Sequence, residues 1–175
     1  MYYTLVFLAV LLAPFMAGAA PTPTRPGLGY AAVRPTTTHR AKPSVVTPPP
    51  CVAMDPPPSE EETRARFDEF ANAFLVTRNL TNAFEYVSSV YINHNPFAED
   101  GPNAALDFLD TMWNTTKIAP IRTAFKGDQG WLNYIAAGMG EIVDRFRWEA
   151  GCIVEHWDQE EIFPEEALAH YPPHA

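Results

Sequence analysis

Apolar positions at helical spacing begin just after a run of prolines. Phe67, Phe70, Ala71 and Phe74 recur at intervals of three and four, which puts them on one helix face. Ser59-Glu60-Glu61-Glu62 stands before them as a capping box: the serine hydroxyl serves an early amide and Glu62 reaches back. The pattern predicts an amphipathic helix over 60–77. A second, short helix is expected from near Thr81, burying Phe84, Val87 and Val90. A third follows Gly101-Pro102, capped by Asn103, with Leu106, Leu109, Met112 and Trp113 on one face.

After Pro120 the texture changes. Runs at 121–126, 131–137, 141–148 and 152–159 read as strands, separated by Gly127-Asp128-Gln129-Gly130, Gly138-Met139-Gly140 and Glu149-Ala150-Gly151. Connections this short imply an antiparallel meander. Three helices followed by four strands predict an α+β domain with the helices on one sheet face.

The last hairpin bears on chemistry. A three-residue loop Glu149-Ala150-Gly151 pairs Trp148 with Cys152, Phe146 with Val154 and Asp144 with His156, and sets Arg145 against Glu155 on the other face. One face then carries Ile142, Asp144, Phe146, Trp148, Val154, His156 and Asp158. Two carboxylates and an imidazole on a mostly apolar face lack obvious partners unless they line a cavity.

Composition adds the layout around this domain. Of 18 prolines in 175 residues, one is Pro14, eleven lie between Pro21 and Pro58, and six follow. Residues 5–13 are apolar but too short to span a bilayer, and Ala17-Gly18-Ala19 follows as a cleavage pattern, so a signal peptide over 1–19 and secretion are expected. The stretch 20–58 is rich in Pro and Thr and poor in large apolar residues, which predicts a disordered tether. Its threonines beside prolines (Thr22, Thr24, Thr36, Thr37, Thr38) resemble an O-glycosylated stalk. The domain is expected over 59–165 and a tail over 166–175. The formal net charge is −9 and concentrates in the domain, which argues against nucleic acid as a partner. No later stretch would anchor the chain in a membrane once the signal is removed. Cys51 and Cys152 read as a disulfide in that compartment. Asn79-Leu80-Thr81 and Asn114-Thr115-Thr116 are N-glycosylation sequons, expected at the surface.

Two blocks resemble the SnoaL-like family of the nuclear-transport-factor-2-like superfamily. One is Tyr91-Ile92-Asn93-His94-Asn95-Pro96 with Gly101. The other is Val143-Asp144-Arg145-Phe146-Arg147 through Gly151-Cys152-Ile153-Val154-Glu155-His156-Trp157-Asp158. The resemblance spans roughly 59–163 and implies a cone-shaped curved antiparallel sheet packed against the three N-terminal helices, open at one end to a pocket. It implies His94, Asp144, His156 and Asp158 as site residues, with Tyr91, Phe146, Trp148 and Val154 as pocket walls. Polyketide-cyclase members of the family run a cofactor-free aldol condensation with an acidic residue as acid/base. After Asp158 the chain departs from the pattern, with Gln159-Glu160-Glu161-Ile162 where many relatives have Val-Ile-Gln.

Removing a proton next to a carbonyl needs a base and a stabiliser for the enolate oxygen. Asp144 or Asp158 is the candidate base, with His156 and His94 as hydrogen-bond donors. No cofactor is expected: the histidines and carboxylates are metal-ligand types, but no local spacing such as His-x-His points to a metal. Three readings stay open. They are a cofactor-free enzyme acting on a small hydrophobic carbonyl compound, a binder of such a molecule, and a structural or interaction module. The last would dimerise through an outer sheet face exposing Val143, Ile153 and Trp157.

Overall fold

The computed structural model describes residues 45–170, so the expected signal segment, the tether as far as residue 44 and the last five residues lie outside the described residues. Helix α1, Glu60–Ala71, starts at the capping box: the Glu62 amide donates to the Ser59 hydroxyl at 3.3 Å and the Ser59 amide to the Glu62 carboxylate at 2.8 Å. It continues as a π-helical turn, Asn72–Val76. Helices α2, Leu80–Phe84, and α3, Pro102–Asp110, follow. The glycine Gly101, at φ 94°, stands at the start of α3 where Asn103 was expected to cap.

Five strands make the sheet: β1 Val87–Asn93, β2 Ile118–Lys126, β3 Gln129–Ala136, β4 Gly140–Glu149 and β5 Cys152–Trp157, in the order β1-β5-β4-β3-β2. This corrects the expected all-antiparallel meander. β1 runs parallel to β5, so the sheet is mixed, and residues assigned to the end of the second helix belong to a strand. Val87 is buried there, while Val90 points outward and is 70% exposed. Register shifts in β1, in β2 after Pro120 and between Arg147 and Trp148 mark bulges, which bend strands. The sheet is curved and unclosed, with β1 and β2 as its edges.

The β4–β5 hairpin has a two-residue turn, Ala150-Gly151, with φ of 47° and 82°. Positive φ at both central residues suits the right-handed twist of the flanking strands. Glu149 therefore pairs with Cys152 and Trp148 with Ile153; Val154 is the extra residue of a bulge, after which Arg147 meets Glu155 and Phe146 meets His156. The expected pairings are each displaced, and it is Arg147, not Arg145, that binds Glu155. The two-residue turn, by setting Ile153 opposite Trp148, also turns it inward, where it is fully buried rather than part of an exposed outer patch.

Helix α1 lies across the concave face. Phe67 and Phe70 join Phe125, Phe146 and Trp148 in an aromatic core with ring centroids 4.9–6.5 Å apart. Gly130 on β3 permits this approach, since a Cβ there would sit 2.5 Å from the Phe67 ring. On the convex face the chain covers itself. Phe163 and Ala167 pack on Ala124, Trp131 and Val143, the Arg122 guanidinium lies 4.2 Å over the Phe163 ring, and Arg145 forms a bidentate pair with Glu161. The buried Ala167 carries the domain beyond the expected boundary at 165, into a final 3-10 helix, Glu165–His170.

Residues 45–58 were expected to belong to the disordered tether, but they are docked. The Cys51 amide donates to Val87 O at 2.9 Å, the Met54 amide to Ala150 O at 2.9 Å and the Thr81 hydroxyl to Val46 O at 2.7 Å. Val45 packs against the core and Pro48 is buried. Cys51 and Cys152 form the disulfide, with Cα atoms 5.8 Å apart. Composition registers the segment's few large apolar side chains but not backbone bonds to a neighbouring strand or a covalent tie. Both sequon asparagines are exposed, and Asn79 also caps α2 through its Oδ1. Among the described residues no helix is long and apolar enough to cross a membrane.

Candidate functional site

Between the helices and the concave face lies a cavity of about 330 Å³, within the usual range for small-molecule sites. Its walls come from α1 and its π-helical extension (Phe70, Phe74), α2 (Phe84), the segment after α3 (Met112, Trp113) and the inward positions of β1, β3 and β4 (Tyr91, Ala136, Phe146). Phe97, Phe108 and Met139, 78%, 42% and 50% exposed, line it as well and open it to solvent. The polar groups cluster at one side: Asn93, Asn95, Tyr134, Asp144, His156 and Asp158.

Alternation along β4 and β5 brings Asp144 and His156 to the same face, and their side chains meet despite the shifted backbone register. His156 Nε2 is 3.3 Å from Asp144 Oδ1, and its ring stacks on Phe146 at 4.9 Å. Tyr134 donates its hydroxyl to Asp144 Oδ2 at 2.9 Å. Asn93 settles the tautomer. Its Oδ1 accepts the Asn95 amide at 3.1 Å, which makes that atom the oxygen, and it lies 3.1 Å from His156 Nδ1. Nδ1 therefore carries a proton and Nε2 faces the Asp144 carboxyl. One further proton can sit between Nε2 and Oδ1. With it the two form a hydrogen-bonded pair; without it a lone pair faces a carboxylate.

Asp158 follows β5. The Asn95 carboxamide, oriented by the Phe97 amide at 2.8 Å, donates to Asp158 Oδ2 at 2.5 Å. Its Oδ1 is buried with no hydrogen-bond partner. One ligand-type atom each of Asp144, His156 and Asp158 lies within 4.8 Å of the others, so the three could hold a divalent cation. Two carboxylates and an imidazole suit zinc, manganese or iron(II).

Two tyrosines complete the site. Burial, then the charge of Asp144 and the hydrogen bond to it, keep the Tyr134 phenol protonated well beyond its ordinary range. Burial, then the charges of Asp144 and Asp158, do the same for Tyr91. Tyr91 is 6% exposed, and among the described residues its hydroxyl has no hydrogen-bond partner. It is a donor without an acceptor.

Of the residues expected from the sequence, Asp144, His156, Asp158, Tyr91 and Phe146 line the cavity, and three others do not. His94 lies on the convex side. Its ring stacks on Trp157 at 4.4 Å and its Nε2 meets Glu155 at 2.9 Å. That bond and Arg147 hold the Glu155 carboxyl below the usual carboxylate range. Trp157, expected on an open dimer face, is half-buried between His94 and the Arg145 guanidinium, 3.9 Å from its ring. Trp148 sits behind the cavity among Phe67, Phe70, Tyr86 and Phe125. Val154 is spent in the bulge. Asn93, Asn95 and Tyr134 were not anticipated, although both asparagines stand inside the Tyr91–Pro96 block.

No family model and no curated protein matches the chain. Solved structures do resemble it. A nuclear-transport-factor-2-like protein from Mesorhizobium loti is 18% identical with a TM-score of 0.48, covering 65% of this chain and 97% of its own. A SnoaL-like protein from Burkholderia thailandensis is 12% identical with a TM-score of 0.48, covering 59% and 98%. A candidate polyketide cyclase from Sinorhizobium meliloti is 13% identical with a TM-score of 0.46, covering 58% and 99%. These likenesses concern the fold and leave ligand and reaction open. In fold, the chain is similar to nuclear-transport-factor-2-like and SnoaL-like proteins.

Proposed function

We propose that the domain binds a small apolar carbonyl compound in this cavity and moves a proton on it through the Asp144–His156 pair. The observation that carries the reading is the contact of His156 Nε2 with Asp144 Oδ1 at the wall of an apolar cavity, with the tautomer set by Asn93. Lacking the proton between them, the pair is the base that takes one from the carbon beside the carbonyl. Holding it, the pair is the acid that returns one. The Tyr91 hydroxyl donates to the carbonyl oxygen and to the enolate that develops there. His94, facing the other side of the sheet, takes no part. Binding without turnover is the second reading, favoured because both Asp144 oxygens are already engaged.

Proton exchange separates the two. The full chain is incubated with 1-tetralone in heavy water, and deuterium uptake at C2 is followed by NMR with and without EDTA. The expected result is exchange above the buffer rate, indifferent to EDTA and lowered about a hundredfold or more in Asp144→Asn and His156→Gln. Saturable binding with no exchange establishes the second reading. Exchange that persists at full rate in both variants rules the pair out.

A further inference from the structure

The cavity does not end at its mouth. A groove of about 410 Å³ adjoins it, lined by Phe97, Ala98, Glu99, Ala104, Asp107 and Phe108. Phe97, Ala98 and Phe108 line the cavity as well. One wall of the groove is a face of α3, on which Ala104, Asp107 and Phe108 are spaced three and four apart. Met112, four positions beyond Phe108, belongs to the cavity wall, so the apolar stripe Ala104, Phe108, Met112 leads from the groove into the cavity. The other wall is the loop after β1, which is tied down at three points. The Phe97 amide donates to Asn95 Oδ1 at 2.8 Å, the Asn93 amide to Asp100 Oδ1 at 2.8 Å and the Gly101 amide to Tyr91 O at 2.9 Å. A loop fixed in this way presents the Phe97 ring to solvent, and the Phe108 ring is half exposed on the helix side. Two large apolar rings left wet along one groove that continues a cavity mark a surface with something to cover it.

We infer that the groove is a second subsite for the same ligand, and that the ligand is a carbonyl compound carrying an uncharged alkyl arm. The carbonyl and its ring occupy the cavity, and the arm leaves by the mouth and lies along Phe97, Ala104 and Phe108. This rests on the carbonyl reading above and extends it. An arm projecting into water would bury none of its methylenes, whereas along the groove each one covers ring surface that is otherwise hydrated. The charged residues of the groove, Glu99 and Asp107, are both acidic and exposed, and no lysine or arginine lines it. An arm ending in a carboxylate therefore meets like charge there, which sets a neutral tail apart from that of a fatty acid.

The test is calorimetric titration of the full chain with 1-tetralone and its 6-ethyl, 6-butyl and 6-(3-carboxypropyl) derivatives, whose arms leave the ring across from the carbonyl. Affinity is expected to rise about two- to fourfold per methylene from 1-tetralone to the butyl compound. Ala104 lines the groove and not the cavity, so Ala104→Trp fills the groove: the rise should flatten while the affinity for 1-tetralone itself stays unchanged. Asp107→Lys, a surface change with no packing to lose, should improve the acid-ended compound relative to the butyl one by about two- to fivefold. Equal affinities for 1-tetralone and the alkyl compounds in the unaltered protein overturn the inference and leave the carbonyl pocket standing. A rise that survives Ala104→Trp, with a charge preference unmoved by Asp107→Lys, overturns it as well by placing the arm elsewhere. Failure of every compound to bind removes the pocket reading and the inference with it.

Discussion

Three buried or half-buried tyrosines show how one side chain takes its role from its surroundings. Tyr134 spends its hydroxyl on Asp144, Tyr86 spends its own on Glu69 at 2.5 Å, and Tyr91 keeps its hydroxyl unspent. Burial, the Glu69 bond and the Glu69 charge push Tyr86 from 10.0 up to about 12. The folded state thus holds that proton where the unfolded chain releases it. The stability this confers is complete below pH 10 and is lost as pH rises from 10 to about 12. Urea unfolding across that range should show Tyr86→Phe losing stability less steeply than the unaltered protein; parallel curves would contradict the assignment. Asp144, His156 and Asp158 were legible in the sequence because charged residues on an apolar face are anomalous. Asn93, Asn95 and Tyr134 were not, since asparagine in a loop and tyrosine in a strand are ordinary. Their role exists only once β1, β3 and β5 are side by side.

At the scale of elements, helices were more legible than strand edges. The α1 capping box and its phenylalanine spacing announce both where the helix starts and which face it buries. β1 hid because Val87, Val90 and Tyr91 fall at helical intervals, while inward Val87 and Tyr91 lie four apart across a register shift. The two-residue turn displaced the pairings beside it by one position, and the bulge residue Val154 displaced those beyond it by one more. The two shifts add to two positions, which leaves Asp144, Phe146 and His156 on one face as in the expected three-residue loop, so alternation in the sequence does not separate the two arrangements. The contact between α1 and β3 depends on one missing methyl. Gly130→Ala would drive a Cβ into the fully buried Phe67 ring. We expect it to cost about 1–3 kcal/mol of unfolding free energy, measured by urea denaturation. An unchanged midpoint would mean that the helix sits farther from the sheet than described.

At the scale of the molecule, the docked segment 45–58 and the disulfide join the start of the described chain to β5. The pairing was legible from cysteine arithmetic, but the docking was not. Closing a loop this long restricts the unfolded chain, so the paired substitution Cys51→Ala, Cys152→Ala should lower stability by about 2–5 kcal/mol. Urea midpoints of the two proteins measure it, and equal values would show that the backbone bonds of residues 45–58 suffice alone.

The same bridge also sets how the domain would carry a mechanical load. A pull on the chain ahead of Cys51 passes through the bridge into Cys152 and out toward the C-terminus, without straightening what lies between. The two cysteines are 101 positions apart, and at about 3.3–3.6 Å per extended residue roughly 350 Å of chain stays folded back out of the line of tension. That sequestered length holds α1, α2, α3 and β1 to β4, and with them Tyr91, Asn93 and Asp144. His156 and Asp158 lie beyond the bridge, in the stretch that bears the strain. Tension on this domain would part Asp144 from His156 before it drew out the helices that wall the cavity.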